Sequence, residues 1–182
     1  MKKLIIAAAM ICAVVSAQAA TVNWNISGVK ADGGGSPTAG WAVMAFYTEV
    51  GAGSSAIESA INSKTAGSLT FDASKSLVVS MSKGKVAAHD ASVAALDTTK
   101  NYDFYFVVFN DADATKATKY AMVSALNQEY SSLDANYTVT GAFSASTAWT
   151  SITPPAPVIP EPTTGLLVLL GVAGLALRRK QA

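Results

Sequence analysis

One run of eight residues constrains the fold of this chain more than any other feature. Residues 102–109 read Tyr-Asp-Phe-Tyr-Phe-Val-Val-Phe, aromatic or β-branched but for a single aspartate. Such side chains pack well on a pleated sheet, and the β-branched ones lose freedom in a helix. Eight residues is also strand length rather than helix length. The segment predicts the strongest strand in the chain. Shorter runs repeat the theme. Val22, Trp24 and Ile26 alternate with Asn23, Asn25 and Ser27, the period-2 pattern of a half-buried strand. Residues 41–48 form a continuous, aromatic-rich apolar run that reads as a buried strand. Residues 68–72, 77–82, 120–126 and 137–143 add strands, and 147–152 an edge strand. Gly33-Gly34-Gly35-Ser36-Pro37 breaks the pattern as a loop.

No period of 20–50 residues recurs, which argues against a solenoid or propeller. The expectation is an all-β domain, an antiparallel sandwich of about 7–9 short strands with one or two short helices. The first helix is expected over 56–64. Ser55 and Glu58 have capping-box spacing, Ile57 and Ile61 share a face, and Gly67 follows the end. A second is read at 86–96, where Ala, Lys and Asp suit a loop as well.

The chain has 182 residues, but its ends are not part of that domain. At the front, Lys2 and Lys3 precede an apolar stretch from Leu4 to Val15. Small residues follow at Ala17 and Ala19, the positions a signal peptidase reads, with cleavage expected before Ala20. The one cysteine, Cys12, lies inside the removed segment, so the mature chain has no thiol for a disulfide, a nucleophile or a metal ligand. Setting aside Lys2, Lys3, Arg178, Arg179 and Lys180 from the 13 basic residues, and Glu161 from the 12 acids, leaves eight against eleven. A mildly acidic body does not suit nucleic acid, which needs clustered Lys and Arg.

At the back, a proline-rich stretch from Pro154 ends in Pro160-Glu161-Pro162. Proline fixes φ and lacks a donor, so this spacer is extended. An uncharged apolar run over 163–177 follows, then Arg178-Arg179-Lys180. Fifteen helical residues reach only ~22 Å, short of the ~30 Å hydrocarbon core. The basic cluster would stay on the cytoplasmic side. These three parts in order resemble the PEP-CTERM sorting signal of exosortase substrates. The resemblance covers Val158 to Ala182 and implies a substrate role. A membrane-embedded, transpeptidase-like enzyme would recognise the Pro-Glu-Pro region, cut nearby, and pass the body to the cell surface or extracellular matrix. The organisation read from the chain is therefore a signal peptide (1–19), a β-rich extracellular domain (20–152), a spacer (153–162), a short transmembrane segment (163–177) and a basic tail (178–182).

No constellation for catalysis, cofactor or metal emerges from the body, and the chain reads as a non-enzyme. His89 is the one histidine and has no Gly-x-Ser-x-Gly to serve. Asp111-Ala112-Asp113-Ala114-Thr115 has the Asp-x-Asp-x-Thr form of haloacid-dehalogenase-type phosphatases, but Asn110 intervenes after the strand and a downstream carboxylate pair is missing. As a calcium loop it has Lys116 where glycine is needed and Met122 where glutamate is needed. It reads as a polar turn. Gly33-Gly34-Gly35 lacks the Gly-Lys-Ser/Thr ending of a phosphate cradle. Two functional expectations follow. One is a structural or interaction protein, exported and displayed on the surface or in the matrix, whose partners are signal peptidase, the sorting enzyme and, transiently, the membrane. The other is a carbohydrate-binding module with the same addressing signals, using Trp24, Trp41 and Trp149 as stacking faces for extracellular polysaccharide.

Overall fold

The computed structural model describes residues 20–93, 96, 97, 100–129 and 138–155. They form β1 (Ala20–Val29), β2 (Ala42–Glu49), α1 (Ser55–Asn62), β3 (Asp72–Ser76), β4 (Val78–Ser80), β5 (Lys83–Val93), β6 (Asn101–Phe109), β7 (Lys119–Glu129), β8 (Thr138–Ala142) and β9 (Trp149–Ser151), with 3₁₀ turns at Asp32–Gly34 and Ala66–Ser68. One sheet has the order β4-β5-β1-β8 and the other β3-β2-β6-β7-β9. The all-β sandwich is thus as expected.

The β6 run is apolar throughout because both its faces are covered. Tyr102, Phe104, Phe106 and Val108 point into the core between the sheets, with Val22, Trp24, Ile26 and Val43. Tyr105, Val107 and Phe109 point outward and are roofed by Ile57 and Ile61 of α1. Two-sided burial replaces the polar half of the usual strand alternation. Trp24 is fully buried (0 % exposed) and its ring stacks on Phe106 at 5.4 Å.

Four features depart from expectation. The segment read as a second helix at 86–96 is largely strand β5, paired antiparallel with β1. Residues 68–72 are not a strand. A 3₁₀ turn ends at Ser68 and β3 begins only at Asp72. Helix α1 is entered from Ser54, whose hydroxyl donates to Glu58 Oε1 at 2.5 Å, and the chain leaves it through Lys64 at φ +60, three residues before Gly67. Finally, the sandwich is not wholly antiparallel. β8 lies parallel to β1, with Asn23 opposite Thr138 and Ser27 opposite Ala142.

Leu77 marks where the chain passes from one sheet to the other, between β3 and β4. It is buried, its N–H donates to the Trp41 carbonyl (2.9 Å), and its own carbonyl accepts from Gly40 (2.8 Å). Gly84 on β5 makes room for it, because a Cβ there would lie 2.5 Å from Leu77 Cδ2.

Candidate functional site

The strand pairing brings β1's outgoing end, the start of β2, the start of β7 and β9 to one end of the sandwich. An open cleft of about 290 Å³ lies there, lined by Ala31, Asp32, Trp41, Asn110, Lys119 and Trp149. Trp41 directly precedes β2, and Trp149 opens β9 opposite Ala121. Their rings meet edge to face, centroids 5.4 Å apart. Trp149 Nε1 donates to the Lys30 carbonyl at 3.0 Å, a bond from one sheet to the other.

The polar wall of the cleft is an ion pair. Asp32 stands on the 3₁₀ turn, where Gly33 takes φ +77, and Lys119 is the first residue of β7. Lys119 Nζ donates to Asp32 Oδ2 at 2.5 Å. That hydrogen bond and charge hold the Asp32 carboxyl below its ordinary range. Asn110 is engaged inward. Its carbonyl oxygen accepts from the Thr118 and Lys119 amides (3.0 and 2.9 Å), and its amide donates to Thr118 Oγ1 (2.9 Å). A larger hollow of about 410 Å³ opens beside the end of α1. Its walls are mostly apolar, among them Met44, Ile61 and Phe109, and Lys64 at its edge is bonded to the Ala117 carbonyl at 2.7 Å.

Of the three tryptophans read as stacking faces, the structure brings together Trp41 and Trp149, both half-buried, and removes Trp24 to the core. Trp24 Nε1 donates to Asp72 Oδ2 at 3.0 Å. Asp72 also accepts from Ser74, through its amide (2.8 Å) and its hydroxyl (2.6 Å). His89 Nε2 lies 3.4 Å from Asp72 Oδ2, within ion-pair range but not aligned as a hydrogen bond. The Ser74 hydroxyl thus faces the carboxylate rather than the imidazole, the reverse of what a nucleophilic serine requires.

The segment from Asp111 to Thr115 is a turn closed by its own carboxylates. Asp111 Oδ1 accepts from the Asp113 amide (2.8 Å), and Asp113 Oδ1 accepts from the Thr115 amide and hydroxyl (2.9 and 2.7 Å). Those bonds with Thr115 also hold Asp113 below the usual carboxylate range. The Gly33–Gly34 turn holds Asp32 toward Lys119, an anion where a phosphate site would need donors.

Asp103 was not singled out by its sequence, although one charge inside an aromatic run was the signal. It is buried (5 % exposed) and accepts from the backbone of Gly51 and Asn127. The Lys119–Asp32 pair, separated by 87 positions, left no local signal at all.

The addressing residues sit at the margins. Ala20 opens β1 opposite Val93, directly after the expected leader. Ala17 and Ala19 lie outside the described residues, as do Pro160, Glu161, Pro162, Arg178, Arg179, Lys180 and the apolar run at 163–177. Among the described residues, no helix is long and apolar enough to cross a membrane. The Ile152 amide bonds the Thr118 carbonyl (2.8 Å) and the Thr153 amide bonds Asn62 Oδ1 (3.0 Å), fixing where the chain leaves the body. No curated protein and no solved structure matches the chain. Residues 158–180, however, match the model of the PEP-CTERM protein-sorting motif, so the C-terminal segment is the signal of an exosortase-sorted, exported protein that is held transiently at the membrane.

Proposed function

We propose that this is a surface or extracellular-matrix protein of structural or interaction type, with no catalytic activity of its own. The observation that carries the reading is the sorting motif at 158–180, a short distance beyond the last strand of the body. In this reading signal peptidase cuts before Ala20, with Ala17 and Ala19 in its small pockets. Pro160-Glu161-Pro162 is what the exosortase recognises, its prolines lacking amide donors. Arg178-Arg179-Lys180 stops translocation and fixes which side the motif faces. Glu161 is the one charge from Thr153 to Leu177 and is the recognition handle. The non-enzymatic part of the reading is supported by the carboxylates of Asp111 and Asp113 closing their own turn. Mass spectrometry of the protein from its host should place the mature C-terminus near Pro160 to Thr163, and Glu161→Ala should leave the unprocessed form in the inner membrane. A mature protein still carrying Arg178-Arg179-Lys180 in a host with the enzyme would replace sorting with simple anchoring.

The second reading, a carbohydrate-binding module carrying the same signals, is favoured by the Trp41–Trp149 cleft and its charged wall. Extracellular polysaccharide would then be the partner of the body.

A further inference from the structure

We infer that the cleft between Trp41, Trp149 and the Asp32–Lys119 pair is a subsite for one neutral hexopyranose ring of a polysaccharide, an inference that rests on the carbohydrate-binding reading. A pyranose has two kinds of surface: faces of C–H groups and a rim of hydroxyls, each both donor and acceptor. A site for it needs an immobile apolar plane next to a donor and an acceptor at hydroxyl spacing.

The cleft supplies the plane. Trp41 and Trp149 are half-buried and packed against the core, so their rings are already fixed. The Trp149 N–H is satisfied by the Lys30 carbonyl, so what the ring offers outward is apolar surface. The cleft also supplies the polar edge. The Lys119 and Asp32 side chains are 40 % and 55 % exposed and touch each other at 2.5 Å. Side by side, they present an ammonium donor and a carboxylate acceptor at about the spacing of two adjacent ring hydroxyls. Asn110, its side chain bonded to Thr118 and the Lys119 amide, shapes the wall.

Charge selects the sugar. Among the described residues, Lys119 is the cation lining the cleft and it is neutralised by Asp32, so a uronate carboxylate would meet Asp32 without an unpaired cation to receive it. A neutral ring meets no such penalty. Size agrees, since about 290 Å³ lies just under the range of small-molecule sites, room for one ring with the chain running out of the open side.

The test uses the processed protein purified from its host, run in native gels containing dextran, galactomannan, the host's own neutral matrix glycan, or alginate as the uronate probe. Retardation is expected in at least one neutral gel and not in alginate. Asp32→Ala, a change at an exposed side chain, should weaken that retardation about tenfold with the melting temperature preserved, the loss of one charged hydrogen bond. Trp41→Ala should abolish it. Binding that survives both substitutions would overturn this subsite while leaving a glycan-binding role elsewhere on the body. Preference for alginate would overturn the neutral-sugar assignment, and no retardation in any gel would remove the carbohydrate reading with it. The sorting reading is judged separately, by the mature C-terminus.

Discussion

Within β6, the Asp103 carboxylate holds the turn after β2 and a bulge in β7 at once. Oδ2 accepts from the Gly51 amide (3.1 Å) and Oδ1 from the Asn127 amide (2.7 Å). Both donor residues have left-handed backbones, φ +83 and +51, and each finds its acceptor in β6. Removing the buried carboxylate takes away two charge-assisted hydrogen bonds at once. Asp103→Ala should therefore destabilise the body by about 2–4 kcal/mol in urea unfolding, with Asp103→Asn losing less because one acceptor remains. Among the described residues Asp72 is the other buried acid, and it bears on acid stability. Burial pushes its carboxyl up, but hydrogen bonds from Ser74 and the Trp24 indole, with His89 adding charge, bring it below the ordinary value of 3.8. A carboxyl with a depressed folded pKa contributes its full stabilisation above its unfolded pKa and loses it as pH falls through the folded one. The melting temperature of the native protein should thus drop on acidification below about pH 4. Asp72→Asn should melt lower at neutral pH and show a shallower acid decline, measurable by thermal scans at stepped pH.

Strand β8 is five residues long, yet it holds a tight point of the core. A Cβ on Gly141 would lie 2.5 Å from Phe106 Cδ2 and 2.9 Å from Ile26 Cγ2. Phe106 cannot swing away, because its ring is stacked on Trp24. Gly141→Ala should cost about 1–3 kcal/mol by overpacking, seen as a lowered urea midpoint with an unchanged slope. The most legible strands are those with one clean period or with both faces apolar, β1, β2 and β6, and β7, β8 and β9 also lie where the sequence predicts strands. β5 was misread for a definable reason. Its inward residues are Gly84 and Val86, then Ala91 and Val93, so the phase slips by one position midway. The slip is a bulge. Two steps on β1, from Trp24 to Ile26, face three on β5, from His89 to Val86. A broken period over Ala-rich sequence looks helical or looped. The parallel β1–β8 pairing also left no sequence mark, since strand direction is a property of the whole chain path. The cleft was half legible: Trp41 and Trp149 were named, but only the fold puts Asp32 beside Lys119.

At the scale of the molecule, the sandwich has two unlike ends. The cleft, the turn after β6 and the departure point at Thr153 share one of them, fixed by the Ile152–Thr118 bond. Asp103 and the start of β1 belong to the other. While the C-terminal segment is held in the membrane, the cleft end is the end nearer the tether. The pairing of β1 with β8 bears on export itself. Asn23 and Thr138, 115 positions apart, are joined through their side chains, and β1 is the central strand that needs both β5 and β8. The first strand to emerge from a translocation pore therefore waits for nearly the last before its sheet is complete, and closing so long a loop earlier is entropically unfavourable. In the export that the sorting motif implies, the chain would travel as a slack thread rather than a knot. The β1 sheet is complete only once residue 142 is through, and the other sheet only after β9, with the sorting motif at 158–180 still to follow.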